Sequence, residues 1–232
     1  MIGAPGRYDP SVYADEPGGD DEVHWVRLRL REIGAEPRIA YQGVRACDGA
    51  ALPPPDEADG VIVGGSYHSV HDALPWQRET MAWLGRYRAS GRPLLGICGG
   101  HQLIAHLSGA PVEPVAGGPI AGSRSVTLTA AGRRHFLFTG FGDAPAFHFA
   151  NFDHVPAAPT GATTLATGPG MPCVALDHGG GWYGVQFHPE ATDSCLAASW
   201  KPLDPALMRG YRPLPEAPRL IGNFLTGTGL LG

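Results

Sequence analysis

The sequence has no long apolar run and no cluster of basic residues. Its apolar stretches all fall short of the roughly 18 residues that a membrane-spanning helix requires. The formal net charge is −5, and the basic side chains are scattered rather than grouped. Because nucleic acids and anionic membranes attract basic clusters, we expect neither as a partner.

Cysteine is also scarce, and its spacing excludes two common uses. Cys47, Cys98, Cys173 and Cys195 form neither a C-x-x-C pair nor a zinc-finger spacing. The first residues show no charged-then-apolar secretory pattern. The sequence therefore predicts a reduced, cytoplasmic setting, and we expect no cofactor.

The length fits one domain. A chain of 232 residues can bury a sizeable core. Its 34 glycines and 23 prolines are spread without a period, which indicates loops rather than low-complexity sequence. No internal repeat divides the chain, so we expect a single domain over residues 1–232.

The first half of the sequence alternates strands with helices. In the first helix, Val23, Val26, Leu30 and Ile33 recur at helical spacing, and Gly34 is its expected stop. This alternation predicts a parallel, doubly wound sheet. The predicted elements are helix 20–33, strand 38–41, strand 60–63 buried on both faces, helix 77–88, strand 94–97 and helix 102–107.

The second half changes to short strands, which suit antiparallel additions to the sheet. The predicted strands cover 125–128, 146–149, 163–167, 173–177 and 182–187, and a closing helix covers 219–225. Before that helix, the proline-rich segment 193–218 is predicted to be a long loop. It is interpreted as a lid, a partner surface or a plain surface loop.

A cysteine stands at the junction between strand 94–97 and the helix that follows. Gly96, Cys98 and Gly100 fit the G-x-nucleophile-x-G elbow, with cysteine in place of serine. Small neighbours are needed there because the turn brings the strand and helix backbones close together. The helix N-terminus favours a thiolate. The competing interpretation of Cys98 is a buried structural cysteine.

A candidate base follows the strand near residue 187. Residues two apart in a strand point to the same face, so His188 and Glu190 are predicted to project together, with Pro189 between them. A carboxylate beside an imidazole holds one tautomer and stabilises the imidazolium. Cys98, His188 and Glu190 then supply a nucleophile, a base and an orienting group.

Three motifs together resemble a known family. GICGGHQ around Cys98, GVQFHPE at 184–190 and GVIVGGSYHSVHD at 60–72 resemble the class I, triad-type glutamine amidotransferases. The run from Asp72 to Trp76 is similar to stand-alone members that resemble the glutaminase domain of GMP synthase. The resemblance covers about residues 20–192 and the terminal helix.

The resemblance implies a fold of the flavodoxin-like α/β type. We expect one domain with a mostly parallel sheet, flanking helices and antiparallel additions. In this fold a first parallel strand precedes helix 20–33, and only Met1 and Ile2 are present in the sequence to supply it.

The resemblance also implies site residues. The N–H groups of Gly65 and Gly99 become the oxyanion donors, of which Gly99 also lies at the helix start. Gln102 becomes a contact to the substrate's glutamine moiety, with a plain helix-surface position as the alternative. Asn151 and Phe152 fall in the other substrate-contact segment, where Phe152 replaces the family's glycine and puts the identity of the acyl donor in question.

Three functions remain open at this point. The first is a glutaminase that passes ammonia to a separate synthetase, since the sequence contains no P-loop. The second is a γ-glutamyl hydrolase that releases a larger amine, and the third is a non-enzymatic binding relative. A metal site at His68 and His71, with Asp72 beside them, is disfavoured because histidines three residues apart in a loop are usually solvated and no further clustered ligand is evident.

Overall fold

The computed structural model describes residues 10–232, and the predicted use of Met1 and Ile2 as a strand lies outside the described residues. No helix in this part of the chain is long and apolar enough to cross a membrane. The α-helices are α1 (Glu22–Glu32), α2 (Pro75–Arg88), α3 (Gly99–Leu107), α4 (Asp193–Trp200) and α5 (Arg219–Gly227). Short 3-10 helices span Pro10–Tyr13, Glu36–Arg38, Ala46–Asp48, Pro55–Glu57, Val70–Asp72, Gly132–Arg134, Phe136–Phe138 and Pro205–Gly210.

A six-stranded mixed sheet organises the domain. The strands are β1 (Val61–Val63), β2 (Leu94–Ile97), β3 (Glu113–Pro114), β4 (Ile120–Ser125), β5 (Thr127–Leu128), β6 (Ala146–Asn151), β7 (Asp153–His154), β8 (Thr163–Gly168), β9 (Met171–Asp177) and β10 (Trp182–Val185). The sheet order is β1-β2-β10-β9-β8-β5, and separate two-stranded ribbons pair β3 with β7 and β4 with β6. The expected α/β class with antiparallel additions is confirmed, but the sheet is mixed rather than mostly parallel, since two of its five strand pairings are parallel.

The parallel part of the sheet lies at its centre and at one edge. β2 pairs in parallel with β1 on one side and with β10 on the other, while β9, β8 and β5 continue antiparallel. All residues of β2 and β10 are buried, as expected for strands covered on both faces. Stacked rings of Phe147 and Phe187, 3.9 Å apart, belong to the main core beside these strands.

The predicted strand 38–41 is wrong. Pro37 lies in the 3-10 helix Glu36–Arg38, and none of residues 38–41 belongs to a strand. The Tyr41 side chain instead donates to the carbonyl of Val23. The strand predicted at 60–63 is present as β1, but it is half-buried rather than buried on both faces. β1 is an edge strand that borders a cavity of about 740 Å³, which explains its exposure.

The first part of segment 193–218 is a helix, so the predicted loop is wrong there. Thr192 caps α4 by accepting from the backbone N–H of Cys195. At the end of α4, the Trp200 indole donates to the Tyr211 hydroxyl, which donates to the carbonyl of Phe149 in β6. These bonds hold the segment against the β4–β6 ribbon.

Two buried histidines lie in α3 and directly after β9. His101 in α3 donates its Nε2–H to the carbonyl of Cys173, while neither ring nitrogen of His178 has a hydrogen-bond partner among the described residues. Burial lowers the pKa of His101 to about 3, and the charge of His178 adds to this effect. Burial and the charge of Arg88 lower the pKa of His178 to about 4. Both rings are therefore neutral at pH 7.

The two histidines predict an acid-sensitive fold. An unfolded histidine gains a proton near pH 6.5, but these folded rings do not, so their contribution to stability is complete above pH 6.5. The free energy of unfolding should fall below that pH by up to about 1.4 kcal/mol per pH unit for each ring. Urea titrations between pH 7.5 and pH 4.5 measure this slope.

A single substitution isolates the effect of one ring. His178→Gln should make the decline below pH 6.5 shallower, and His24→Gln, at an exposed position of α1, serves as the matched control. If the free energy of unfolding fell with equal slope below pH 6.5 in the wild type and in His178→Gln, the lowered pKa of His178 would be contradicted.

Candidate active site

Cys98 occupies a sharp turn between a buried strand and a helix. β2 ends at Ile97 and α3 begins at Gly99, so the predicted strand–turn–helix is present. The backbone of Cys98 has φ +50° and ψ −104°, a conformation that a residue with a Cβ rarely adopts. Its N–H donates to the carbonyl of Val185 in β10 at 2.8 Å. Strain of this kind is typical of functional turns.

Glycines are required around this turn because three backbone segments meet there. A Cβ on Gly100 would lie 2.1 Å from the carbonyl oxygen of Val63, and a Cβ on Gly96 would lie 2.7 Å from the backbone of Gly100. The N–H of Gly100 donates to the carbonyl of Gly64 at 2.9 Å. The loop after β1 is therefore held directly against the start of α3.

His188 and Glu190 meet as predicted, but not for the predicted reason. β10 ends at Val185, so neither residue occupies a strand position of the sheet. The backbone N–H of His188 instead donates to the carbonyl of His148 in β6, at 2.8 Å. His188 Nδ1 and Glu190 Oε1 are 2.6 Å apart, and both side chains are buried. The opposite ring nitrogen, Nε2, is left without a protein hydrogen bond in residues 10–232.

The charges around His188 favour its protonated form. Burial alone would lower its pKa, but the Glu190 carboxylate and the Cys98 sulfur outweigh burial and raise the pKa of His188 to about 10. A protonated imidazole stabilises negative charge on a neighbouring sulfur. The arrangement therefore couples the sulfur, the imidazole and the carboxylate electrostatically.

A chain of side-chain amides leads to the Cys98 sulfur. The amide of Gln102 donates to the carbonyl of Asp153 at 2.7 Å and to Gln186 Oε1 at 3.2 Å. Gln186 Nε2 in turn donates to Cys98 Sγ at 3.6 Å. Gln186 was missed by the sequence reasoning, although it stands two positions before His188 in the same motif. Gln102 is buried rather than on the helix surface, and its amide is engaged by the protein.

The predicted substrate-contact residues do come together beside the sulfur. A cavity of about 40 Å³ is lined by Cys98, Gln102, Asn151 and Phe152, together with the loop 66–69. Asn151 is buried, and its Oδ1 has no hydrogen-bond partner among the described residues. Phe152 is 39% exposed and packs against Trp200, with ring centroids 5.5 Å apart. Phe152 therefore forms part of the cavity's rim.

The two candidate oxyanion donors lie next to each other. Gly99 is the first residue of α3, and a Cβ on it would lie 3.1 Å from the backbone carbon of Gly65. The N–H of Gly65 donates to Glu22 Oε2 at 2.5 Å. Glu22 was also missed, because an acidic residue in a first helical turn is common and gives no signal of a contact 43 residues away.

The histidines that were weighed as metal ligands have other partners. His68 Nδ1 lies 3.2 Å from an Asp72 carboxylate oxygen, and His71 Nε2 lies 2.8 Å from the carbonyl of Val112. Elsewhere in residues 10–232, ligand-type atoms of Glu22, His188 and Glu190 lie within 4.8 Å of one another. His188 and Glu190 are already bonded to each other, and Glu22 accepts from the N–H of Gly65.

The fold is shared with solved glutamine amidotransferases. A glutamine amidotransferase from Thermotoga maritima is 22% identical with a TM-score of 0.72, over 86% of this chain and 90% of that chain. A glutamine amido transferase from Methylobacillus flagellatus is 18% identical with a TM-score of 0.69, over 97% of this chain and 93% of that chain. The structure is thus an α/β domain with the glutamine amidotransferase fold.

Sequence comparison gives the family. The family model "Glutamine amidotransferase class-I" matches residues 20–199, so the chain belongs to the class I glutamine amidotransferase family, and the resemblance inferred from the three motifs is confirmed. The glutamine-hydrolysing GMP synthase of Geobacillus kaustophilus is 33% identical over 170 residues, which cover 73% of this chain and 31% of that protein. The corresponding enzyme of Aeropyrum pernix is 32% identical over 184 residues, 76% of this chain and 33% of that protein. The chain spans about one third of the length of these relatives.

The close approach at Gly100 predicts a large effect of a single methyl group. Gly100→Ala places its Cβ against the Val63 carbonyl, so we expect the free energy of unfolding to fall by about 1–3 kcal/mol. Gly85→Ala is the matched control, because the added methyl meets no neighbouring atom at an exposed position of α2. That control should gain about 0.5–1 kcal/mol. Chemical denaturation measures both, and equal effects would contradict the packing described here.

The contact with the Glu190 carboxylate leads to a prediction for the pKa of His188. Glu190→Gln removes the negative partner of Nδ1, so the pKa of His188 should fall from about 10 towards neutrality. NMR titration of the imidazole ring measures the change. Asp193→Asn, the removal of another carboxylate nearby in sequence, is the control and should leave the His188 titration in place. An unshifted pKa in Glu190→Gln would rule out the assigned pairing.

Proposed function

We propose that the domain hydrolyses an amide through a γ-glutamyl thioester on Cys98, with glutamine as the substrate. The observation that carries this proposal is the buried His188–Glu190 pair placed beside a cysteine in a strained strand-to-helix turn. A buried structural cysteine needs neither the strain nor the charged neighbours. The same features disfavour a binding module without catalysis.

The first half of the reaction breaks the amide bond. Cys98 and His188 share one proton, which His188 holds while the sulfur attacks the amide carbonyl carbon to form a tetrahedral oxyanion. The N–H groups of Gly65 and Gly99 are the proposed donors to that oxygen. His188 then gives its proton to the leaving nitrogen, the C–N bond breaks, and ammonia leaves a thioester on Cys98. Glu190 holds the imidazole and stabilises its charged form.

The second half of the reaction restores the thiol. A water molecule gives a proton to His188 as its oxygen attacks the thioester carbon, and the same N–H groups stabilise the second oxyanion. Collapse of this intermediate breaks the C–S bond, returns the proton to the sulfur and releases glutamate. Atoms and charge balance with glutamine and water consumed, and with glutamate and ammonia produced.

Two observations support glutamine as the acyl donor. The family is named for amide transfer from glutamine, and the relatives at 32–33% identity are named for glutamine hydrolysis. The cavity of about 40 Å³ beside Cys98 has room for a small leaving group, since one water occupies at least about 10–15 Å³ of such volume. Because the relatives are GMP synthases, we expect the ammonia to be used by a synthetase unit.

A γ-glutamyl hydrolase is the second candidate function. The half-exposed Phe152, at the rim of the cavity and against Trp200, offers apolar surface to an amine larger than ammonia. The triad chemistry is the same for both functions. Release rates from glutamine and from a series of γ-glutamyl amides of increasing size separate them, and faster cleavage of the larger amides would favour the hydrolase.

Loss of the proposed nucleophile should abolish turnover. Cys98→Ala should lower ammonia release from glutamine by at least about 10³-fold, because no thioester can form. Cys47→Ala, at an exposed cysteine far from the triad in sequence, is the matched control and should keep wild-type activity. An ammonia assay with purified protein measures both, and full activity in Cys98→Ala would refute the mechanism.

A further inference from the structure

Glu22 extends away from its own helix into the candidate active site. It is the first residue of α1, and the neighbouring Asp21 already caps that helix by accepting from the N–H of Val23. The Glu22 side chain is instead buried and accepts from the N–H of Gly65 in the loop after β1, at 2.5 Å. The helix end therefore does not need this carboxylate for capping.

The Glu22 carboxylate also faces the proposed base. One of its oxygens lies within 4.8 Å of ligand-type atoms of both His188 and Glu190. The carboxylate thus lies near the imidazole while it accepts from the Gly65 N–H, the donor that the oxygen of a scissile carbonyl would need. A carboxylate oxygen on an amide donor makes the same kind of bond as the oxyanion of the reaction.

We propose that Glu22 competes with the substrate's carbonyl oxygen for the Gly65 N–H, so that the side chain must swing out before hydrolysis. This inference rests on the proposed function, because it takes Gly65 as an oxyanion donor. One N–H cannot fully serve two oxygens, and two negative oxygens at one buried site repel each other. Access to the donor is therefore controlled by a residue of the chain itself.

The structure has space for the displaced side chain. The cavity of about 740 Å³ beside the edge strand β1 is lined by Glu22 itself, by Gly64 and Gly65, and by Arg45. A rotation of the Glu22 side chain within this cavity would keep the carboxylate among polar groups. Such a rotation involves only the Glu22 side chain and leaves Cys98, His188 and Glu190 in place.

The competing explanation is that Glu22 only supports the Gly65 loop. It predicts the opposite change in the rate of hydrolysis when Glu22 is replaced. If Glu22 only held the loop of Gly65 in place, its replacement would lower stability and hydrolysis together. If Glu22 blocks the Gly65 N–H, Glu22→Gln should raise kcat/KM for glutamine, since a neutral amide oxygen competes less strongly than a carboxylate for this N–H. Access to one oxyanion donor is worth about 10²–10³-fold in rate, so we expect a gain of about 10-fold or more.

Glutamine hydrolysis and alkylation of Cys98 by iodoacetamide test this inference together. Alkylation forms no oxyanion, so its rate should change far less than kcat/KM in Glu22→Gln. The control is Glu32→Gln, at the other end of α1, where the carboxylate pairs with Arg29 at the surface. Thermal unfolding identifies any variant that fails to fold, and Glu22→Ala provides a second test of the gain.

The outcomes are distinct. A gain in hydrolysis without a matching gain in alkylation supports the competition. A folded Glu22→Gln that is equal to or slower than an active wild type overturns the inference and leaves the proposed function standing, as does an equal gain in both rates. Absence of ammonia release from every variant, the wild type included, overturns the proposed function and the inference with it.

Discussion

Cys98 holds a backbone conformation, φ +50° and ψ −104°, that costs of order 1–3 kcal/mol for a residue with a Cβ. It persists because the neighbouring structure leaves no alternative: β2 is buried along its length, the N–H of Cys98 is bonded to β10, and Gly100 is bonded to Gly64. Each of these contacts requires the backbones to approach closely. The glycines at 96, 99 and 100 are therefore part of the same constraint as the strained turn.

The remaining groups of the site are positioned relative to this turn by neighbours in the sheet. β10 runs parallel to β2 in register, so the chain leaving β10 emerges at the same edge as Cys98. The backbone bond between His188 and His148 then redirects the chain toward β6. Glu190 fixes the ring from the far side. Cys98 and His188 thus follow two adjacent strands and lie about 90 residues apart in sequence, and parallel pairing of these strands brings them to one edge of the sheet.

What the sequence predicts well is local. The strand 94–97 and the turn at Cys98 follow from a few consecutive residues, and both are present. The His188–Glu190 contact was predicted from strand alternation, although the strand ends at Val185. The predicted strand 38–41 failed because local apolar pattern does not determine whether a partner strand is available. The contacts of Gln186 and Glu22 join segments distant in sequence, and neither residue type signals such a partner.

The contact of Glu22 follows from the same electrostatics that suit the site to its proposed reaction. Unpaired N–H groups in a buried turn and at a helix N-terminus attract negative oxygen, and they do so whether that oxygen belongs to a reacting amide or to the protein. A buried donor left empty would itself cost free energy. An internal carboxylate satisfies Gly65 in the absence of substrate, and the strength of that bond sets how readily an incoming carbonyl can replace it. A stronger bond between Glu22 and the Gly65 N–H would therefore stabilise the site but make this N–H less accessible to an incoming carbonyl oxygen.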